Sequence, residues 1–272
     1  MSYGPEKILE GAPNARDLGG FETLDGRKIK ANRLIRSGML RNISDADEEY
    51  LRAAGLKKVI DLRTTQERSE KPDRIISGVE YILCPIMPDK TDGITRETPE
   101  TEDEEALRTI AMAKRLMKHC RDGRTQMGSL YPLFVSLDHA TGHFAELFRI
   151  LLDTESGAVL FHCTMGKDRA GAAAAMVLWA LGVPRESIVE DYLLTAERCA
   201  PGTRRLLENC RRHTDDEEIL EFIYLLDTVE ESFISSMFDT ADRLYGGMDA
   251  FLQDRLGLDG EKLCRLRELY LE

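Results

Sequence analysis

A thiol at Cys163, a glycine at Gly166 and three charged side chains at Lys167, Asp168 and Arg169 fall within the stretch FHCTMGKDRAG, residues 161–171. Ionised groups are rarely buried without partners, so this density of charge between two apolar runs is a sign of use rather than of packing. A thiolate is a strong nucleophile, and a guanidinium offers a planar fork that can hold two oxygens of a phosphoryl group. With five residues between them, Cys163 and Arg169 can close one loop in which both face the same phosphorus. The types and the spacing together point to covalent phosphoryl transfer through sulfur.

Such a loop needs rigid elements on both sides. GAVLFHC before it reads as a buried strand, and AAAAMVLWALG after it as a buried helix. The loop then lies at the carboxyl end of a strand, where open α/β sheets bind ligands. The first free N–H groups of the helix face back into it, and Gly166 lets the backbone curl into an anion-binding nest. A thiol held there is expected to give up its proton more readily than a free one.

HCTMGKDRAG resembles the HCx5R signature of the protein tyrosine phosphatases, and the GKDR within it resembles the bacterial tyrosine, dual-specificity and phosphoinositide phosphatase branch. NARDLGG, RLIRSGML, VIDLRTTQE, KPDR, DYLLT and the closing YGGMDAFLQDRLGL match that branch in the same order, so only the charged stretch 89–127 falls outside the resemblance. The resemblance implies a phosphocysteine on Cys163, phosphoryl binding by Arg169, and Asp168 as general acid; a plain ion pair with Lys167 or Arg169 is the other reading of Asp168. Thr164, Met165, Gly166, Lys167 and Ala170 complete the expected substrate-binding loop. Lys167 is the second cation associated in this branch with phosphoinositides, unless it is a solvated rim charge. His162 is expected to organise the loop rather than act as a base. Asp61, at a strand end, is expected to orient Lys167 or Arg169, or else to form a structural ion pair. Arg16 and Asp17 read as ties for the N-terminal segment. Most members of the branch carry Thr or Ser where this chain has Ala170, and that hydroxyl helps the thiolate leave, so slow breakdown of the phosphoenzyme is expected here.

The activity implied is hydrolysis of phosphomonoesters: phosphotyrosine, phosphoserine or phosphothreonine, or phosphoinositide. Ala170 keeps open a second reading, a protein with a phosphatase fold that binds phospho-ligands and barely turns them over. A third, an arsenate reductase-like thiol enzyme, needs a resolving cysteine, for which Cys84 is available. No metal or other cofactor is implied. His139 and His143 stand four apart but lack a companion at ligand spacing, and the Met112, Met117 and Met127 side chains read as packing or lid residues.

With 272 residues and a formal net charge of -12, the chain is long enough to bury a substantial core and is poorly suited to general nucleic-acid binding. The six cysteines are scattered without a disulfide spacing, which suits a reducing compartment. The N-terminus lacks the marks of a signal peptide, and Ala170 to Val183 is too short to span a bilayer. The expectation is therefore a cytoplasmic protein without integral membrane association, with export lacking a signal peptide left open; oligomeric state is not legible. Strands and helices alternate in the middle and helices alone close the chain, predicting an α/β fold: a mainly parallel central sheet flanked by helices, protein-tyrosine-phosphatase-like, with a helical C-terminal portion. One domain over residues 1–272 is expected, with a charged helical insertion or lid at about 89–138, the alternative there being a plain surface helix. Finer expectations are a hairpin at Asp25–Gly26, a buried strand in VEYILCPI, and a Thr214–Glu217 capping box opening a helical stretch from Ile219 to Gly246.

Overall fold

The computed structural model describes residues 8–89 and 101–272. Among them, one sheet contains β1 (Arg16–Asp17), β2 (Leu34–Ser37), β3 (Leu56–Asp61), β4 (Glu80–Leu83) and β5 (Ala158–His162), in the order β1-β2-β5-β3-β4. Only β1 pairs antiparallel; the other pairings are parallel. The helices are α1 (Asp45–Ala53), α2 (Thr65–Glu70), α3 (Glu102–Met117), α4 (Gly123–Gly128), α5 (Leu133–Ser136), α6 (Asp138–Leu152), α7 (Asp168–Leu181), α8 (Arg185–Arg211), α9 (Glu217–Asp227), α10 (Glu231–Tyr245), α11 (Met248–Asp254) and α12 (Gly260–Tyr270). A mainly parallel sheet with helices, and helices alone after β5, is the architecture the sequence predicts.

Side chains alternate across the three inner strands. Ile35, Val59 and Leu160 enter a smaller core with Leu51 of α1, while Leu34, Ile60, Val159 and Phe161 enter the larger core on the opposite face. Each such side chain, fully withdrawn from water, stabilises the fold by about 1.5–3 kcal/mol. β5 is buried along its whole length between β2 and β3. The loop that follows it is thereby fixed at the centre of the sheet. α7 buries every residue except Trp179, and its run of alanines suits a helix packed on all sides. It ends at Gly182, whose φ of 89° makes a left-handed cap.

Several local expectations change. The Asp25–Gly26 turn closes a hairpin of a single bridge, Glu22 to Lys28. β4 is a half-exposed edge strand, not a buried one. The cap of α9 is Asp216, which accepts from the Glu218 and Ile219 amides at 3.1 and 3.3 Å, so Thr214 and Glu217 do not form the capping box. The predicted long helix beyond it breaks at Thr228, whose backbone turns extended with ψ of -176°. α8 instead runs through Pro201, and the Thr203 hydroxyl donates to the Cys199 carbonyl at 3.2 Å. Within residues 89–138, positions 90–100 lie outside the described residues, and with them part of the acidic run. α3 is not merely solvated: Ala106, Ile110, Ala113 and Leu116 join the larger core. No helix among the described residues is long and apolar enough to cross a membrane.

Candidate active site

The loop Cys163–Lys167 joins β5 to the N-terminus of α7. Its sharpest bend is Gly166, at φ of 68°. A Cβ there would lie 2.6 Å from the Ser37 carbonyl carbon and 2.7 Å from the Gly38 nitrogen, backbone atoms of β2 and its end that cannot swing aside. Gly166→Ala is therefore expected to cost about 2 kcal/mol or more of stability and about 100-fold in turnover, read as a melting temperature and a kcat on an aryl phosphate.

Three of the sequence motifs meet beneath this glycine. The Gly166 carbonyl accepts from Asn14 Nδ2 and from Arg36 Nη2, both at 2.8 Å. Arg36 Nη1 pairs with Asp191 Oδ2 at 2.6 Å and Arg16 Nε with Asp191 Oδ1 at 2.7 Å, all fully buried. Arg16 is thus a structural tie, as predicted, while Asp17 accepts from the Gly19 and Asn32 amides at 3.0 and 2.7 Å. Burial works against the Asp191 carboxylate, but the two guanidinium groups outweigh it and hold its pKa below the ordinary range. Burial and the neighbouring Arg16 lower Arg36 to about 10. Two arginines against one aspartate leave net positive charge under the loop.

A second buried network supports His162. Its Nε2 lies 3.1 Å from Asp73 Oδ2 and 3.8 Å from Asp61 Oδ1, an ion-pair geometry rather than a straight hydrogen bond. Its Nδ1 is 3.2 Å from the Cys163 carbonyl. Burial pulls the imidazole pKa down, yet the two carboxylates prevail and raise it. Asp61 does not reach Lys167 or Arg169. It pairs with Arg63 at 2.7 Å, the structural alternative, and the same guanidinium takes Asp73 at 2.9 Å. Asp61, Asp73 and His162 otherwise resemble a metal-ligand set. Arg63 already engages both Asp61 oxygens and Asp73 Oδ2, while the Leu40 amide takes Asp73 Oδ1 at 2.8 Å, so the donor set is filled by a guanidinium.

The partner of Arg169 is Glu67, which the sequence reading did not single out. Arg169 Nη1 and Nη2 bond Glu67 Oε2 and Oε1 at 2.6 and 2.8 Å, and Thr164 Oγ1 donates to Oε1 at 2.6 Å. Glu67 also closes a capping box with Thr64 at the start of α2, which fixes its backbone. Burial opposes its ionisation, but Arg169 overrides it and lowers the carboxyl to about 2. The signal was present as Thr64-x-x-Glu67, directly after the strand-ending DLR.

Lys167 is no rim charge. It is buried, and its Nζ donates to the Leu226 and Thr228 carbonyls at 2.7 and 3.2 Å, at the break between α9 and α10. That nitrogen lies 3.5 Å from Asp168 Oδ2, while Asp168 Oδ1 accepts from the Tyr131 hydroxyl at 2.7 Å. Met165 and Thr164 are half-buried, and Ala170 is fully buried. His139 and His143 are committed elsewhere: His139 Nε2 is 2.8 Å from the Pro85 carbonyl, and His143 Nδ1 is 2.8 Å from the His139 carbonyl. Met127 packs in the larger core, with Met112 and Met117 against it.

Residues 8–272 match the tyrosine phosphatase family. The chain belongs to that family. It is 27% identical over 283 residues to the triple specificity protein phosphatase PtpB of Mycobacterium tuberculosis, covering 97% of this chain and 98% of that one. A Cupriavidus necator protein, named provisionally as a tyrosine-protein phosphatase, is 30% identical over 260 residues, 95% of this chain and 85% of its own. A tyrosine-protein phosphatase of Nostoc commune is 32% identical over 168 residues, 62% of this chain and 50% of its own. In this phosphatase, Asn14, Arg16, Arg36 and Asp191 form the buried network around the Gly166 carbonyl, and Asp61 and Asp73 flank His162.

Proposed function

We propose that this phosphatase hydrolyses phosphomonoesters through a phosphocysteine, without a metal. The observation that carries the reading is that Cys163 directly follows β5 in the loop leading into α7, whose Arg169 is held by Glu67 through two bonds. The sulfur attacks phosphorus, and the P–O bond to the leaving group breaks as Asp168 gives that oxygen its proton. A water then attacks the phosphocysteine, Asp168 takes the proton, and inorganic phosphate leaves with the thiolate restored. The loop amides, the α7 N-terminus and Arg169 offset the charge on the transferring group.

Phosphotyrosine, phosphoserine and phosphothreonine are the substrates favoured, and the likeness to a triple-specificity phosphatase supports breadth. Phosphoinositide is the class the geometry supports least. A second phosphate reaches Lys167 only if its ammonium leaves the Leu226 and Thr228 carbonyls. The arsenate reductase-like alternative needs a reactive second thiol. Cys84 is instead pushed up to about 12 by burial, and its Sγ lies 3.1 Å from the His143 carbonyl.

The test is hydrolysis of an aryl phosphate in EDTA, followed from the first turnover. Ala170 supplies no hydroxyl to the departing thiolate, so a burst equal to the enzyme present should precede a slower steady state, and Ala170→Thr should raise that steady rate by about tenfold. A trace linear from time zero in both proteins contradicts the slow second step. A burst with no subsequent turnover favours the phospho-ligand binding protein.

A further inference from the structure

The segment between α4 and α5 sends one side chain into the loop, and nothing in the motif pattern accounts for it. Tyr131 is completely buried and donates from its hydroxyl to Asp168 Oδ1 at 2.7 Å. Behind it, the Tyr192 hydroxyl of α8 lies 2.5 Å from that of Tyr131. Burial and the nearby Asp168 charge raise both phenols well above their ordinary range, so both keep their protons. Either oxygen of the tyrosine pair can be the donor between them, but with Tyr131 donating to the carboxylate, Tyr192 must donate to Tyr131. Protons then point one way along the chain, from Tyr192 to Tyr131 to Asp168.

We propose that Tyr131, backed by Tyr192, is a positioning residue for Asp168, holding one carboxyl oxygen so that the other is presented to the leaving group. This rests on the reading of Asp168 as the general acid. Asp168 is the first residue of α7, whose N-cap, Lys167, makes no side-chain cap bond. Lys167, 3.5 Å from Oδ2, lies beyond a strong hydrogen bond, so the Tyr131 hydroxyl is the close contact that fixes the carboxyl plane. The phenol ring is itself fixed by edge contacts to Phe134 at 5.3 Å and Tyr192 at 5.9 Å, and by Phe233 of α10 at 5.9 Å. The other charges around the chain are Lys167 and Arg169 from the loop and α7, Arg36 from β2, and Glu230 at the start of α10.

The test uses Tyr131→Phe, which keeps the ring, with Tyr192→Phe as the second variant and a melting temperature for each. An alkyl phosphate monoester needs its leaving oxygen protonated, whereas p-nitrophenyl phosphate scarcely does. Tyr131→Phe is expected to lower kcat on the alkyl ester by about tenfold and on the nitrophenyl ester by less than about threefold. Tyr192→Phe should shift the ratio between the two esters in the same direction by less. In Asp168→Asn, adding Tyr131→Phe should change nothing further on either ester. Equal losses on both esters in a folded Tyr131→Phe or Tyr192→Phe, or a further loss in the double variant, overturn the positioning role while leaving Asp168 as the acid. If Asp168→Asn itself leaves the alkyl rate unchanged, the reading of Asp168 fails first and takes the positioning role with it.

Discussion

Cys163→Ser is expected to abolish turnover of an aryl phosphate, by on the order of 10⁴-fold or more, while the protein still folds and binds vanadate. A serine hydroxyl is not ionised at neutral pH, and the imidazole next to it is not placed to take its proton. His162, the adjacent imidazole, is turned toward Asp61 and Asp73 on one side and the Cys163 carbonyl on the other. The anion site should survive because its shape does not depend on the sulfur. The Gly166 carbonyl is tied to Asn14 and Arg36, and Arg169 and Thr164 are both tied to Glu67. Steady-state rates, vanadate titration and a melting curve on the one variant separate the nucleophile from the scaffold. A rate within tenfold of the native one, on the order of 1 kcal/mol in the barrier, leaves no role for the thiol.

Replacing Glu67 has the second largest expected effect, and it acts on stability and activity together. Glu67→Gln keeps the side chain's shape but removes the carboxylate that pairs with the buried Arg169 charge, at a cost on the order of 3 kcal/mol at neutral pH. It should also lower kcat by about 100-fold as the guanidinium loses its orientation. The pH dependence has a defined sign. The carboxyl falls from an ordinary 4.5 to about 2 on folding, so its stabilisation is fully present above pH 4.5 and is lost as pH falls toward 2. The melting-temperature gap between native protein and Glu67→Gln should therefore be widest at neutral pH and close as the solution is acidified. A gap that is absent at neutral pH, or that widens in acid, contradicts the pairing as the source of stability.

The loop was legible because its residue types have few other uses together, and because strand, glycine and helix follow one another in the sequence. The strands around Asp61 and in GAVLFHC were legible for the same reason: a short apolar run bounded by turns reads as a buried strand. Glu67 was missed although Thr64-x-x-Glu67 is a readable capping box, because a cap explains the residue without requiring a second partner. Asp61 shows a different limit, since its two readings stayed open. A position at a strand end says that a side chain is near the site, but not whether Arg63 two residues away or Arg169 takes it. Lys167 was unreadable because its partners are carbonyls at a helix break, and nothing in the apolar period from Ile219 to Phe238 marks that break. Tyr131 meets Asp168 across 37 residues of chain with no motif to tie them, so only the fold brings the pair together.

The most direct test of the covalent step is to mix the native phosphatase with a phosphoryl-labelled aryl substrate, quench within the burst, and sequence the labelled peptide by mass spectrometry. One phosphoryl group on Cys163, gone after a chase of unlabelled substrate, is the predicted result. A label on any other side chain, or turnover at the full rate with Cys163 never labelled, contradicts the account.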